Sequence, residues 1–462
     1  MMPTTETLAP ALSLASIRSQ FPALAQTVNG HPAVFLDGPG GTQVPERVID
    51  AISAYLRRDN SNTGGAYATS RRTDAMLSEA RAAMADFLHC AADEVIFGPN
   101  MTSLTFAISR AIGRDLKSGD EILVTRLDHD ANVSPWLAMA EDRGLTVRWA
   151  EIHDEDCTLD MTDVASKINA KTKLVAVGYA SNAVGTINPV KEIIRLAHAA
   201  GALAYIDAVH YAPHGLIDVA ALDCDFLVCS TYKFFGPHMG VLFGKREHLK
   251  RLRPYKVRPN TNAIPNCWEW GTLNHECIAG IAACVDYIAD LGRHALSEKG
   301  LPHPSRFSKG GDHETSPEVG LPHPTRVSLG GNNETQLSNR RAAIEAAYAA
   351  IHEHERALLA RMMTGLAAIP GLKIYGITDP ARFDERCPTL AIRIANHTPL
   401  ELATKLGERG FFTWDGNYYA LNLTEHLDVE KSGGFLRIGL VHYNSMDEVD
   451  RLLAALREIV AG

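Results

Sequence analysis

Short apolar runs separated by amphipathic stretches fill the chain from residue 94 to residue 245. The runs at 94–97, 121–124, 146–151, 174–179, 202–206 and 225–229 are bounded by polar or glycine-containing segments and are rich in β-branched and aromatic residues. Each therefore predicts a strand, and 225–229 a buried one. Between them, helical spacing runs from 98–103 to about residue 112, over 135–143 and over 190–199. Strands alternating with helices in this way predict an α/β fold with a mainly parallel sheet and right-handed crossovers. Upstream, 14–24, 45–57 and 74–88 read as helices and 34–37 as a short strand. Downstream come an Ala-rich helix over 275–296, a long helix over 337–369 and an α+β part. That last part holds strands at 390–394, 411–414 and 435–440 and helices at 402–409 and 446–460.

The polar residues that follow these strands carry the candidate chemistry. Thr102, His129, Asn182, Asp207 and Lys233 all fall at or just beyond strand ends, and open α/β sheets bind ligands outside the carboxyl ends of their strands. Lys233 follows Ser230-Thr231-Tyr232 and precedes a Gly236-Pro237 turn. Alone it reads as a solvated strand-end lysine. Paired with Asp207 at the end of a neighbouring strand, it suits pyridoxal phosphate, which takes an amine for a Schiff base and a carboxylate for its ring nitrogen. The turn Gly98-Pro99-Asn100-Met101-Thr102-Ser103 offers helix-start N–H groups to a phosphate, or simply places Thr102 as an N-cap. Gly38-Pro39-Gly40-Gly41-Thr42 is weak as a phosphate loop and reads as a strand-to-helix turn. Asn60 to Tyr67, with Asn62 at its centre, is a polar, glycine-rich loop able to line a site.

Composition removes several function classes. With 46% hydrophobic and 21% charged residues in 462, the chain is an ordinary globular protein. A net charge of −9 leaves no basic footprint for nucleic acid. The eight cysteines include no Cys-x-x-Cys pair, which argues against a disulfide framework and a zinc site, so no metal is expected. No signal-type segment is seen, and no apolar run approaches the ~20 residues of a membrane span. A cytoplasmic protein with reduced thiols is expected. One stretch stands apart: 300–315 recurs as 320–335 with eleven of sixteen positions identical. Two copies do not make a solenoid, and the Pro/Gly-rich composition predicts a loop or hairpin insertion.

Taken together, several motifs resemble the cysteine desulfurase branch of the class V aminotransferases. They are Asp128-His129-Asp130-Ala131-Asn132, Ser181-Asn182-Ala183-Val184-Gly185-Thr186, Asp207-Ala208-Val209-His210, Ser230-Thr231-Tyr232-Lys233, Gly271-Thr272 and Arg437-Ile438-Gly439-Leu440-Val441-His442-Tyr443-Asn444. The resemblance implies the PLP-dependent, aspartate-aminotransferase-like fold. It divides the chain into a segment 1–30 packing on the small domain, a large PLP-binding domain 31–296, the insertion 297–336 and a small C-terminal domain 337–462. It implies that Lys233 forms the Schiff base with pyridoxal 5′-phosphate, Asp207 faces the pyridine nitrogen, His129 stacks on the ring and Asn182 bonds the phenolic oxygen. Thr102, Ser230 and Tyr232 would hold the phosphate, Met101 and His210 complete the cofactor set, and Gly271-Thr272 would arrive across a homodimer interface. Arg437 would grip the carboxylate of a small amino-acid substrate as a bidentate fork, with Asn62 and Trp414 beside it.

Three positions depart from the family. Desulfurases carry a nucleophilic cysteine in a C-terminal loop that here reads Thr413-Trp414-Asp415-Gly416-Asn417-Tyr418-Tyr419. The usual glutamine after the aspartate is His210, and the usual histidine before the lysine is Tyr232. The expected activity is therefore Cα-proton abstraction followed by loss of sulfur or another β-substituent, without a persulfide cysteine. His210 or His129 would be the acid near Cβ. Transamination and epimerisation are the alternatives, and a non-catalytic PLP-binding scaffold is the remote one.

Overall fold

The computed structural model describes residues 13–298 and 333–461, so the expected insertion at 297–336 lies almost wholly outside the described residues. Seven strands form the main sheet: β1 (Val95–Gly98), β2 (Glu121–Thr125), β3 (Thr146–Ala150), β4 (Thr172–Gly178), β5 (Leu203–Asp207), β6 (Phe226–Ser230) and β7 (Gly240–Gly244). Their order is β1-β7-β6-β5-β4-β2-β3. The pairs from β6 to β3 are parallel, and β7 runs antiparallel to both β6 and β1. The central strands carry no apolar–polar alternation because both faces are covered. Ile122, Val124, Leu174 and Ala176 point into a core with Leu104, Ile108 and Trp136 of the helices Met101–Gly113 and Ser134–Arg143. Leu123, Val175 and Val177 point the other way, into a core with Met84, Phe87, Ile281 and Ile288 of the helices Ala68–Leu88 and His275–Glu298. Burial on both faces is what a near-continuous apolar strand encodes.

A second, antiparallel sheet has the order β8-β9-β11-β10, from β8 (Leu372–Tyr375), β9 (Thr389–Ile394), β10 (Trp414–Gly416) and β11 (Phe435–Gly439). Leu358, Met362, Leu402 and Leu452 from three helices close its core. Two expectations differ here. The single strand at 411–414 is broken at Thr413: Phe411–Phe412 pairs in parallel with Val34–Phe35, while β10 joins β11. The helix over 14–24 is also interrupted, as Leu14–Arg18 and a 3₁₀ turn Pro22–Ala25. Pro22 has no N–H to continue the ladder, and it pushes Phe21 to an extended conformation (φ −110°, ψ 96°). Arg18 then reaches Tyr443 O and Glu448 Oε1, both at 2.8 Å. Among the described residues no helix is long and apolar enough to cross a membrane.

Candidate active site

Beyond the carboxyl ends of β1, β2, β4, β5 and β6 lies one cavity. It is lined by Met101, Thr102, His129, Asn182, Asp207, His210, Tyr232 and Lys233, together with Pro39, Asp128 and Gly178. Five strand ends separated by more than a hundred residues thus converge because the sheet is parallel through its centre. The remaining expected positions stand elsewhere. Ser230 is buried and accepts the Met101 N–H at 3.1 Å, so it pins the helix start to the end of β6 instead of facing the cavity. Gly271 and Thr272 are exposed and line a neighbouring cleft of about 530 Å³. Asn62 is exposed too, and its side chain accepts from Thr63 N–H. On their own chain these three do not reach the cavity.

The helix start is built differently from the simple capping alternative. Asn100 is the N-cap, its Oδ1 accepting from Ser103 N–H at 2.8 Å. Thr102 therefore faces the cavity with a first-turn N–H, a group without an intrahelical acceptor, and with a hydroxyl held only by a 3.5 Å contact to Met101 Sδ. That arrangement fits an anion at the helix N-terminus.

Lys233 is held by the glycine-rich turn that looked unremarkable in sequence: its Nζ donates to Pro39 O and lies 4.8 Å from the centre of the Tyr232 ring. Burial, reinforced by the Arg437 charge, lowers its pKa to about 7. A neutral amine is the nucleophile. In cofactor-free protein, the rate of pyridoxal phosphate capture by Lys233 should rise as pH passes through about 7. It should level off above that value, whereas an ordinary lysine would keep rising until about pH 10.4. Stopped-flow absorbance across pH 6–10 reads this directly; a rate still climbing steeply above pH 9 would refute the lowered value.

Asp207 is buried, and burial raises its pKa to about 6 while Lys233 opposes the shift. A cationic ring nitrogen beside it would favour the carboxylate further. Asp128, quoted in a motif but given no role, also lines the cavity. Its Oδ1 accepts from Gly178 N–H at 2.8 Å and its Oδ2 from Asn132 Nδ2 at 3.0 Å. A Cβ at position 178 would sit 2.8 Å from that same Oδ1, so glycine is required there. Burial, with the Asp207 charge adding to it, raises Asp128 to about 7. Asp37, read only as a strand residue, is a second missed acid. It is raised to about 6 by burial and feels both Arg437 and Lys233.

Burial sets the charge state of the two cavity histidines. Burial lowers His129 to about 3 and holds His210 well below the usual imidazole range. Both rings are neutral near pH 7, so neither carries the extra proton of a ready acid. His129 Nδ1 accepts from Ala131 N–H at 3.0 Å, which fixes the ring plane.

The loop after β10 covers the site. Tyr419 stacks on His129 with ring centres 5.3 Å apart, and Tyr418 O accepts from Asn182 Nδ2 at 2.9 Å. Tyr418 and Tyr419 hold φ of 56° and 60°, two successive left-handed residues. Each costs on the order of 1–2 kcal/mol, so the surrounding contacts fix this loop in place. Trp414 is half-exposed, sits against Gly40 and is in register with Arg437. Arg437 is buried, donates to Asn182 O at 3.0 Å and stacks 4.1 Å from the Tyr418 ring centre. Its Nε has no partner, and among the described residues no carboxylate pairs with it.

Orphaned buried polar atoms at Asn182 Oδ1 and Arg437 Nε mark a site built to receive a ligand. With the lysine, the aspartate and the helix start, the donor set fits pyridoxal phosphate. A sequence model of the family Aminotransferase class-V matches residues 34–302 and 323–452. The chain is similar to the cysteine desulfurase of Dickeya dadantii (strain 3937), 30% identical over 459 residues covering 96% of each chain. It is similar as well to a probable cysteine desulfurase of Halalkalibacterium halodurans, 29% identical over 457 residues covering 96% of this chain and 97% of the other. In fold it matches the apo cysteine desulfurase of Thermococcus onnurineus NA1 with a TM-score of 0.79 at 23% identity, covering all of both chains. An Escherichia coli cysteine desulfurase in its S-sulfonic acid form matches with a TM-score of 0.76 at 23% identity over 98% of this chain and 99% of the other. The chain belongs to the class V aminotransferase family, in its cysteine desulfurase-like branch.

Proposed function

We propose that this protein is a pyridoxal-phosphate enzyme that removes sulfur, or another leaving group, from the β-carbon of a small amino acid without storing it on a cysteine. The observation that carries this reading is the thiol-free loop Trp414 to Tyr419, which covers a site whose lysine, aspartate and arginine are intact. None of the eight cysteines lines the cavity. When bound, pyridoxal phosphate supplies an electron sink for charge developing at Cα.

Lys233 would carry the cofactor, Asp207 would hold its ring nitrogen, and His129 would stack on the ring. Thr102 and Tyr232 would face the phosphate, with Met101 and Ser230 fixing the helix that presents Thr102. Arg437 would orient the substrate carboxylate beneath Tyr418 and Trp414, so that Cα–H points at Lys233. With a pKa of about 7, the Lys233 amine can take that proton and release it again at neutral pH. This moves the acid role away from His210 and His129. With cysteine, the group that leaves as the Cβ–S bond breaks is hydrosulfide, the anion of a weak acid, which asks for little acid assistance. The buried Tyr418 ring against Arg437 and the Tyr419 ring against His129 would border the substrate while the Cα–H and Cβ–S bonds break. We further read the protein as a cytoplasmic homodimer in which exposed Asn62, Gly271 and Thr272 complete the partner's site.

Incubation with cysteine should yield sulfide, pyruvate and ammonia in equal amounts, with no persulfide on any cysteine by alkylation and mass spectrometry. Alanine together with a trapped persulfide would restore the ordinary desulfurase route. A keto acid without sulfide would mean transamination, and an inverted amino acid epimerisation.

A further inference from the structure

We propose that His210, His214 and Cys387 form a buried site for one divalent transition-metal ion, with zinc the best match, behind the wall of the cofactor cavity. Nothing in the activity proposed above uses His214 or Cys387, and the inference stands independently of it.

The local chain builds the first half of the site. After β5 the backbone folds into tight turns, with Ala212 N–H donating to Ala208 O at 2.9 Å and Gly215 N–H to Tyr211 O at 3.0 Å. Residues four apart in such turns share a side, which brings the His210 and His214 rings to 5.3 Å between centres. Cys387 arrives from the other direction, on the segment leading into β9. One ring nitrogen of each histidine and Cys387 Sγ all lie within 4.8 Å of one another. The three residues are only 4%, 7% and 2% exposed. Among the described residues this is the one group of three or more His, Cys, Asp or Glu side chains so arranged.

The hydrogen bonding supplies an independent sign. His214 Nδ1 bonds Glu355 Oε2 at 2.8 Å, while His214 Nε2, His210 Nε2 and Glu355 Oε1 are buried without any partner. A buried polar group left unpaired costs on the order of 1–3 kcal/mol, so three in one cluster call for an occupant. Metal-binding histidines commonly give their second nitrogen to a carboxylate, which fixes the tautomer and turns the other lone pair toward the ion. Glu355 holds His214 in that way. Imidazole nitrogen and thiolate sulfur are the donors zinc prefers, at roughly 2.0–2.1 and 2.3 Å. Tetrahedral ligation places such donors roughly 3.3–3.6 Å apart, so the side chains close in by about an ångström. A cleft of about 350 Å³ lined by His214, Glu355 and Cys387 gives an entry path and room for water as fourth ligand.

On binding, the Cys387 thiol gives its proton to solvent as the metal–sulfur bond forms, with no redox change. The ion would clamp the turn after Asp207 to the start of β9. It would also fix His210, which lines the cofactor cavity as well. His210 and His214 are positioning residues in this account. The sequence hides the site because Cys387 lies 173 positions beyond His214 (387 − 214).

The test uses the full-length protein stripped with a chelator and reloaded with Co²⁺, a spectroscopic stand-in for zinc. One Co²⁺ per chain should bind and produce a thiolate-to-cobalt charge-transfer band in the near ultraviolet. Cys387→Ser should abolish that band, His214→Ala should weaken Co²⁺ binding at least tenfold, and Cys277→Ser should change neither. Zinc-edge X-ray absorption of the unsubstituted protein carries the test even if a variant fails to fold, with an expected shell of one sulfur and two or more nitrogen or oxygen atoms. No Co²⁺ binding, a band that survives Cys387→Ser, or a zinc shell without sulfur would each overturn the proposal. Because these readouts need neither cofactor nor turnover, their failure would leave the catalytic reading untouched.

Discussion

Lys233→Ala protein should carry no covalently attached pyridoxyl after borohydride reduction, and its turnover should fall by about 10²–10⁴-fold or more. In the proposed reaction, two functions would reside in this one side chain. The first is attachment, for which the amine must be neutral; burial provides this by lowering the pKa to about 7. The second is proton transfer at Cα, for which the same amine must stand free yet oriented. Its bond to Pro39 O and its position against the Tyr232 ring supply the orientation. Alanine removes both functions but leaves Asp207, Thr102 and His129 in place, so non-covalent cofactor should still bind. Reduction followed by peptide mass spectrometry decides the matter: a pyridoxyl group on any other lysine of the parent protein would refute the assignment. An exogenous small amine should restore part of the proton-transfer rate in Lys233→Ala, which a purely structural lysine would not allow.

The parts of this architecture legible in sequence are those governed by local rules. Strands buried on both faces announce themselves as unbroken apolar runs, and a parallel sheet obliges their carboxyl ends to converge. Thr102, His129, Asn182, Asp207 and Lys233 could therefore be grouped before any coordinates. What escaped was set by contacts distant in sequence. Asp128 was hidden because its role depends on Gly178, fifty positions on. Pro39 matters only because Lys233 folds back onto a turn 194 positions earlier. The break at Thr413 arises because Phe411–Phe412 finds Val34–Phe35 as its partner, which no local pattern in either segment records. Protonation was also out of reach. Spacing can place His210 and His129 near a reacting carbon, but burial decides that both rings are neutral. Ser230 shows the converse limit: the residue type suits a phosphate, yet the side chain is buried against Met101 N–H and is not among the groups lining the cavity.

Arg437→Ala should raise the amino-acid concentration needed for half-maximal spectral change by roughly 30- to 5,000-fold. That range corresponds to about 2–5 kcal/mol for a desolvated charged contact. Burial lowers the Arg437 pKa to about 10, which still leaves the guanidinium fully charged at neutral pH. A buried cation without a carboxylate partner is costly, and Tyr418 and Asn182 O offset only part of that cost. In the proposed reaction a substrate carboxylate would supply the missing anion, and the free Nε could form one tine of a two-point contact. The same argument predicts which ligand should be indifferent. Cysteamine, which has the amine and thiol of cysteine but no carboxylate, should bind parent and Arg437→Ala alike. Arg437→Lys keeps the charge but cannot form the planar fork, so it should recover only part of the loss. If cysteine binds Arg437→Ala as tightly as the parent while the protein remains folded and cofactor-loaded, the carboxylate is held elsewhere. If cysteamine weakens as much as cysteine does, Arg437 shapes the cavity instead of reading the substrate's charge.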